Sequence, residues 1–231
     1  MLGYPPDVNA LVLPGVYAPQ DDTALLAEAL SDEPWEPGAR VLDVGTGSGA
    51  LALVAARRGA EVTAVDVSWR AVWTARLNAR ISRLPVHIHH GNLFSPVSGR
   101  LFDVVLANPP YVPAPDSRRG PRGRRRAWDA GQDGRLVLDR ICRDAPRLLR
   151  PGGVLLIVHS ALCGPDHTLH RLRATGLEAA VVRRRWIGFG PVLRSRRGWL
   201  RECGLLSAVE AADEKEELVV IRAERPLRQP A

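Results

Sequence analysis

Apolar and polar positions along the chain follow two periods in alternation. RVLDVG (Arg40 to Gly45), EVTAVD (Glu61 to Asp66), PVHIHH (Pro85 to His90), FDVVLA (Phe102 to Ala107) and VLLIVHS (Val154 to Ser160) have the length and composition of buried strands. Between them the spacing is helical: Ser48 to Arg58, entered through glycines, Ser68 to Ser82, Gly134 to Leu149 and Asp166 to Thr175. Asp21-Asp22-Thr23 heads ALLAEAL and predicts a capped helix with one apolar face. Leu177 to Arg185 and Glu217 to Ala223 complete seven strands. Strands alternating with helices predict a mostly parallel α/β sheet with helices on both faces. Ligands of such sheets bind beyond the carboxyl ends of the strands, near the point where strand order reverses.

The 231 residues suffice for one full core, and residues 1–231 read as one domain. Residues 1–39 form an entry segment and helix, and residues 186–216 are extra before the last strand. That extra segment either shapes a substrate surface or folds as a pair of helices outside the core. No apolar run approaches the roughly 20 residues of a membrane span. MLGYPPDVNALVLPGVY has no basic start and is broken by prolines, which argues against a signal peptide. Cys142, Cys163 and Cys203 are far apart and odd in number, without metal or disulfide spacing, so a reducing cytoplasm is expected.

The net charge of +7 and pI near 10.3 suit a polyanionic partner such as RNA. Lys215 is the sole lysine, however, and arginine, alanine, glycine and proline abound, as a GC-rich coding bias would produce. Both readings stay open. The basic run Arg118-Arg119 and Arg122 to Arg126 is likewise either a solvated loop or a phosphate-facing rim. His87, His89 and His90 point to alternate faces of a strand and have no acidic or cysteine companions, so no metal is expected. Trp69 and Trp73 share a helix face and are expected in the core, and Asp166, His167 and His170 at a solvated helix start.

VLDVGTGSGAL is strand, glycine turn, helix. Gly45, Gly47 and Gly49 permit positive φ and close approach of backbone to a ligand. Gly45, Gly47 and Ala50 satisfy the dinucleotide pattern, and Asp66 stands where a ribose-binding acid belongs. Asp43 within the glycine strand would repel a pyrophosphate but suits the cationic amino-acid end of S-adenosylmethionine. The deciding stretch is LANPPYVPAP, Leu106 to Pro115. Two prolines behind Asn108 hold it extended at a strand end. The motif resembles that of amino-methyltransferases acting on a planar nitrogen. An amide nitrogen is a poor nucleophile because its lone pair is delocalised, as a C–N rotation barrier of roughly 18–20 kcal/mol shows. The Asn108 side-chain oxygen and the Pro109 carbonyl can each accept one N–H, orienting the nitrogen and stabilising its developing charge. Tyr111 can stack on the planar group.

With both motifs in place, the chain resembles the HemK/PrmC-type protein N5-glutamine methyltransferases, in the short branch without an N-terminal helical domain. GVYAPQDDTALLAEAL, VLDVGTGSG, ANPPYVP, AWDAGQDGRLVLDRI, LLRPGGVLLIV and EELVVIRAER carry the likeness. It implies a Rossmann-like class I fold and S-adenosylmethionine as cofactor. It also implies a pocket of Thr23, Asp43, Gly45, Thr46, Gly47, Gly49, Asp66, Val67, Asn92, Leu93 and Asn108, with Asn108, Pro109, Pro110 and Tyr111 catalytic. Asn92 stands where relatives usually carry aspartate beside the adenine. The implied substrate is the glutamine of a Gly-Gly-Gln loop in a peptide-release factor, and the implied partner a small zinc-binding activator subunit. Two other readings remain: a base amino-methyltransferase of rRNA or DNA, acting on adenine N6 or guanine N2, and a non-catalytic binding module, against which Asn108 and Asp66 argue.

Overall fold

The computed structural model describes residues 10–115, 127–207 and 212–227. Helix α1 (Asp21–Asp32) precedes β1 (Arg40–Val44), α2 (Ala50–Arg57), β2 (Glu61–Asp66), α3 (Trp69–Ser82) and β3 (Val86–His90). Then come β4 (Phe102–Ala107), α4 (Leu138–Asp144), β5 (Leu149–Ser160), α5 (Pro165–Arg173), β6 (Glu178–Gly188), α6 (Pro191–Glu202) and β7 (Lys215–Glu224). The sheet order is β3-β2-β1-β4-β5-β7-β6, parallel except for β7, which runs antiparallel to both its neighbours. Helix α1 packs on α2 and α2 on α3, while α4 packs on α5, two groups of helices that cover the sheet. The central strands are therefore buried on both sides, which is why they read as continuous apolar runs.

Strand order reverses between β1 and β4. Their register pairs Val44 with Ala107, so the glycine turn and Asn108 leave the sheet next to each other. A Cβ placed on Gly45 would lie 4.0 Å from the Asn108 carbonyl. Two motifs far apart in sequence are thus made neighbours by sheet topology.

Several expected elements take different bounds. The helix expected over Gly134 to Leu149 covers only Leu138–Asp144. Gly134 has φ +72 and sits so close to the Tyr111 carbonyl that it belongs to a loop, while Pro146 turns the far end into a tight turn. β5 starts at Leu149 and carries Pro151-Gly-Gly153 as an irregularity opposite β4, with Gly152 at φ +77. At α1 the cap position is Gln20, without a side-chain bond, and the expected cap stretch Asp21-Asp22-Thr23 lies within the first turn, with Asp22 and Thr23 buried. Trp69 and Trp73 are exposed (56% and 61%) and not core; Trp69 stacks on His90 with centroids 4.0 Å apart. Of the segment before the last strand, the described residues include the helix α6, between an extended β6 and an early β7; Phe189, Leu193, Leu200 and Leu206 make a small separate core against Val112. Among the described residues no helix is long and apolar enough to cross a membrane, and no group of His, Cys, Asp and Glu could hold a metal ion. The arginine run of residues 118–126 lies outside the described residues.

Candidate active site

A cleft of about 910 Å³ opens at the carboxyl ends of β1, β2 and β4. On one wall stands the glycine turn. Gly45 (φ +75) and Gly47 (φ +56) hold left-handed backbone, and the Gly45 and Thr46 amides bond to the Val65 carbonyl at 2.8 and 3.1 Å. Asp66 ends β2. Its carboxylate accepts from the Gly47 amide at 2.9 Å and the Ser68 amide at 2.8 Å, and burial, the largest influence, raises its pKa. Val67, Asn92 and Leu93 complete that side of the cleft. Leu93 adopts φ +49, a left-handed conformation uncommon for a non-glycine residue, at the bend that brings Asn92 to the cleft. Arg140 of α4 donates to Asn92 Oδ1 at 3.4 Å across it.

Two expected pocket residues stand behind the wall. Asp43 is 1% exposed, accepts from the Thr46 hydroxyl at 2.6 Å and does not line the cleft. Burial pushes its pKa up to about 6, against the lowering bond from Thr46. Gly49, also outside the lining, gives α2 room to pack on α3: a Cβ there would meet Ala75 at 3.1 Å. Asp43 thus bonds Thr46, which lines the cleft, and Gly49 leaves room for Ala75 of α3.

The opposite wall is Asn108, Pro109, Pro110 and Tyr111. Asn108 Nδ2 donates to Thr23 Oγ1 at 3.2 Å, and Thr23 Oγ1 in turn donates to Asp22 Oδ1 at 3.1 Å. Tyr111 is 9% exposed and donates its hydroxyl to Asp22 Oδ2 at 3.1 Å, so its ring is anchored at the hydroxyl end. Burial first, then the Asp22 charge, raises the Tyr111 pKa and keeps it a donor. Tyr17 donates to the same oxygen at 2.9 Å. Asn108 and Pro109, the residues of the acceptor pair expected from the motif, both line the cleft.

Three contributors were not expected from the sequence. The entry segment lies over the glycine turn: Leu11 exchanges backbone bonds with the buried Asn78 side chain, and Gly15 to Tyr17 line the cleft. The sequence offers Asp21-Asp22-Thr23 as a helix head, and the place of Asp22 beside Thr23 is the one local signal of a second role. The stretch Trp128, Asp129 and Leu136 forms the outer rim, where Asp129 pairs with Arg196 of α6 at 2.6 Å.

Residues 7–119 match the methyltransferase small domain family. A protein of Methanocaldococcus jannaschii assigned as an N5-glutamine methyltransferase is 34% identical over 177 residues, covering 76% of this chain and 88% of its own. A release factor glutamine methyltransferase of Gloeobacter violaceus is 38% identical over 194 residues, covering 79% of this chain and 67% of its own. Among solved structures, the E. cuniculi Mtq2–Trm112 complex superposes with a TM-score of 0.64 at 24% identity, over 91% of this chain and 99% of that one. That likeness bears on the fold alone. The chain belongs to the HemK/PrmC-type protein N5-glutamine methyltransferases, enzymes of the class I fold that take their methyl group from S-adenosylmethionine.

Proposed function

We propose that this enzyme methylates the side-chain amide of a glutamine in the Gly-Gly-Gln loop of a peptide-release factor. The observation that carries the reading is the held Asn108. Its amide nitrogen is engaged by Thr23, and both Asn108 and Pro109 line the cleft, where the Asn108 oxygen and the Pro109 carbonyl would serve as acceptors. Those acceptors would take the two N–H groups of a primary amide and aim its lone pair. The names of the relatives support the substrate class, since several are release factor glutamine methyltransferases.

S-adenosylmethionine supplies an electrophilic methyl group on a sulfonium. Asp66 would hold its ribose hydroxyls and Val67, Asn92 and Leu93 its adenine, while the Gly45–Gly47 backbone allows close approach. Thr23 and Asn108 stand where the two ligands would meet. As the amide nitrogen gains positive charge, Asn108 and Pro109 stabilise it as preorganised dipoles; a neutral asparagine does so without taking the proton outright.

The same reading takes residues 1–231 as one catalytic unit acting in the cytoplasm, with α6 bracing the substrate side through Arg196. A small zinc-binding activator subunit belongs to it. What supports this is an exposed apolar stripe of α3, namely Trp69, Trp73, Leu77 and Ile81, beside the sheet-edge strand β3. Contact with RNA through Arg118 to Arg126 is a further part, tested by the salt dependence of ribosome association when those arginines become serine.

The test is to incubate the enzyme with labelled methyl donor and the host's release factors, with the loop glutamine intact or changed to alanine. Label is expected on the intact factor only. Label that persists on the alanine variant, or falls on rRNA alone, would move the assignment to a base amino-methyltransferase.

A further inference from the structure

We propose that Asp22 is the positioning residue of the methyl-transfer site: it decides which end of the Asn108 amide faces the acceptor nitrogen, and it fixes Tyr111. The proposal rests on the reading of Asn108 as acceptor for the substrate N–H. Asp22 lies in the first turn of α1 and is 3% exposed. Among the described residues no arginine or lysine pairs with it. Four donors converge on it instead. Oδ1 accepts from the Thr23 amide at 2.6 Å and the Thr23 hydroxyl at 3.1 Å; Oδ2 accepts from the hydroxyls of Tyr17 at 2.9 Å and Tyr111 at 3.1 Å.

The direction of the chain follows from donor counting. A carboxylate offers acceptors only, and a threonine hydroxyl has a single proton. Thr23 gives that proton to Asp22 and can only accept from its other neighbour. The end of Asn108 that meets Thr23 at 3.2 Å must therefore be the NH₂. The two ends of an asparagine amide are nearly identical in shape, so the hydrogen-bond network alone selects the orientation. With the NH₂ turned to Thr23, the oxygen is presented to the substrate. The flipped amide would set N–H against N–H and remove one of the two acceptors. Asp22 itself lines the cleft; the role assigned to it runs through Thr23 and, on the other oxygen, through Tyr111.

The near-isosteric Asp22→Asn change tests this, since its NH₂ could face Thr23 and release the hydroxyl to donate toward Asn108. Turnover, KM for the acceptor, donor affinity by calorimetry and the thermal midpoint are measured together. The expected result is a fall in kcat of about 10- to 100-fold, on the scale of losing one preorganised dipole, with donor affinity within about 3-fold of wild type. Thr23→Val, which cuts the same chain and leaves Asp22 in place, should match it and carries the test if Asp22→Asn does not fold. Thr23→Ser should restore the rate, and the double variant should be no slower than the slower single one, because one chain can be broken only once. If Asn108→Ala is inactive while Asp22→Asn and Thr23→Val turn over normally, or their losses multiply, the positioning role is overturned alone. If Asn108→Ala itself keeps wild-type turnover, the reading of Asn108 fails and this proposal with it.

Discussion

On the proposed reading Asp66 serves binding and Asn108 chemistry, and single substitutions should separate the two. Asp66→Ala removes a carboxylate held by two backbone amides at the end of β2. Losing a charged hydrogen-bond partner costs on the order of 1.5–3 kcal/mol, so affinity for the methyl donor should drop roughly 10- to 150-fold by calorimetry. Asn108→Ala leaves that wall intact. Donor affinity should stay within a few fold while kcat falls by at least about 100-fold in single-turnover assays. Near wild-type turnover would remove Asn108 from the chemistry. The motif made Asn108, Pro109 and Asp66 legible as site residues because their chemistry is local: a stiffened strand end, an acid after a strand. The inward turn of Asp22 was not legible. It depends on Tyr111 coming within 3.1 Å across the sheet, which no local pattern records.

Between elements, α6 braces the loop that follows the asparagine motif. Arg196 donates to the Pro113 carbonyl at 2.9 Å and pairs with Asp129 at 2.6 Å, with side chains only 16% and 9% exposed. Breaking a buried pair by removing one partner costs about 3 kcal/mol or more, because the other charge stays buried. Arg196→Ala should lower the urea midpoint accordingly. It should also raise KM for a folded protein acceptor while leaving donor affinity unchanged, since the loop lies on the substrate side. A change in donor affinity instead would place α6 on the wrong side of the cleft. The strands of the amino-terminal half match their apolar runs almost residue for residue, for burial on both faces leaves little choice of bounds. The helix before β5 does not match. Gly134 must tuck against Tyr111, and a Cβ there would come within 2.3 Å of its carbonyl.

At the scale of the whole molecule, stability carries two opposing pH terms from its interior. Glu216 at the start of β7 is 6% exposed beside Ser160 and Asp22, and burial raises its pKa to about 7 from an ordinary 4.5. The folded chain thus keeps a proton that the unfolded chain has lost, so this contribution is full below about pH 4.5 and is lost as pH rises through 7. His159 at the end of β5 has the opposite sign. Burial lowers its pKa to about 4, so its contribution is full above about pH 6.5 and is lost as pH falls through 4. Asp43, raised to about 6, shares the sign of Glu216, which is why the difference between proteins is the quantity to measure. Glu216→Gln removes one term. Its advantage over wild type in denaturant melts should grow by about 2–3 kcal/mol, to order of magnitude, from pH 5 to pH 8. A constant difference would mean that Glu216 ionises normally in the fold.

What the sequence by itself determined is whatever short-range physics controls. Alternating periods set the number and type of the elements, glycines set the turn after β1, and prolines set the stiffness of Asn108. Residue types then named the chemistry: acceptors for a planar nitrogen and an acid for a ribose. Tertiary structure decided everything that requires two distant segments to share space. It moved Asp43 behind Thr46, because β1 is central and its side chains are enclosed on both faces. It left Trp69 and Trp73 outside, because α3 covers the sheet with its other face and β3 is the edge. It set α6, in the segment before β7, on the loop that follows the asparagine motif. And it joined Asp22 to Tyr111 and, through Thr23, to Asn108, since only the order of strands brings α1 to the end of β4.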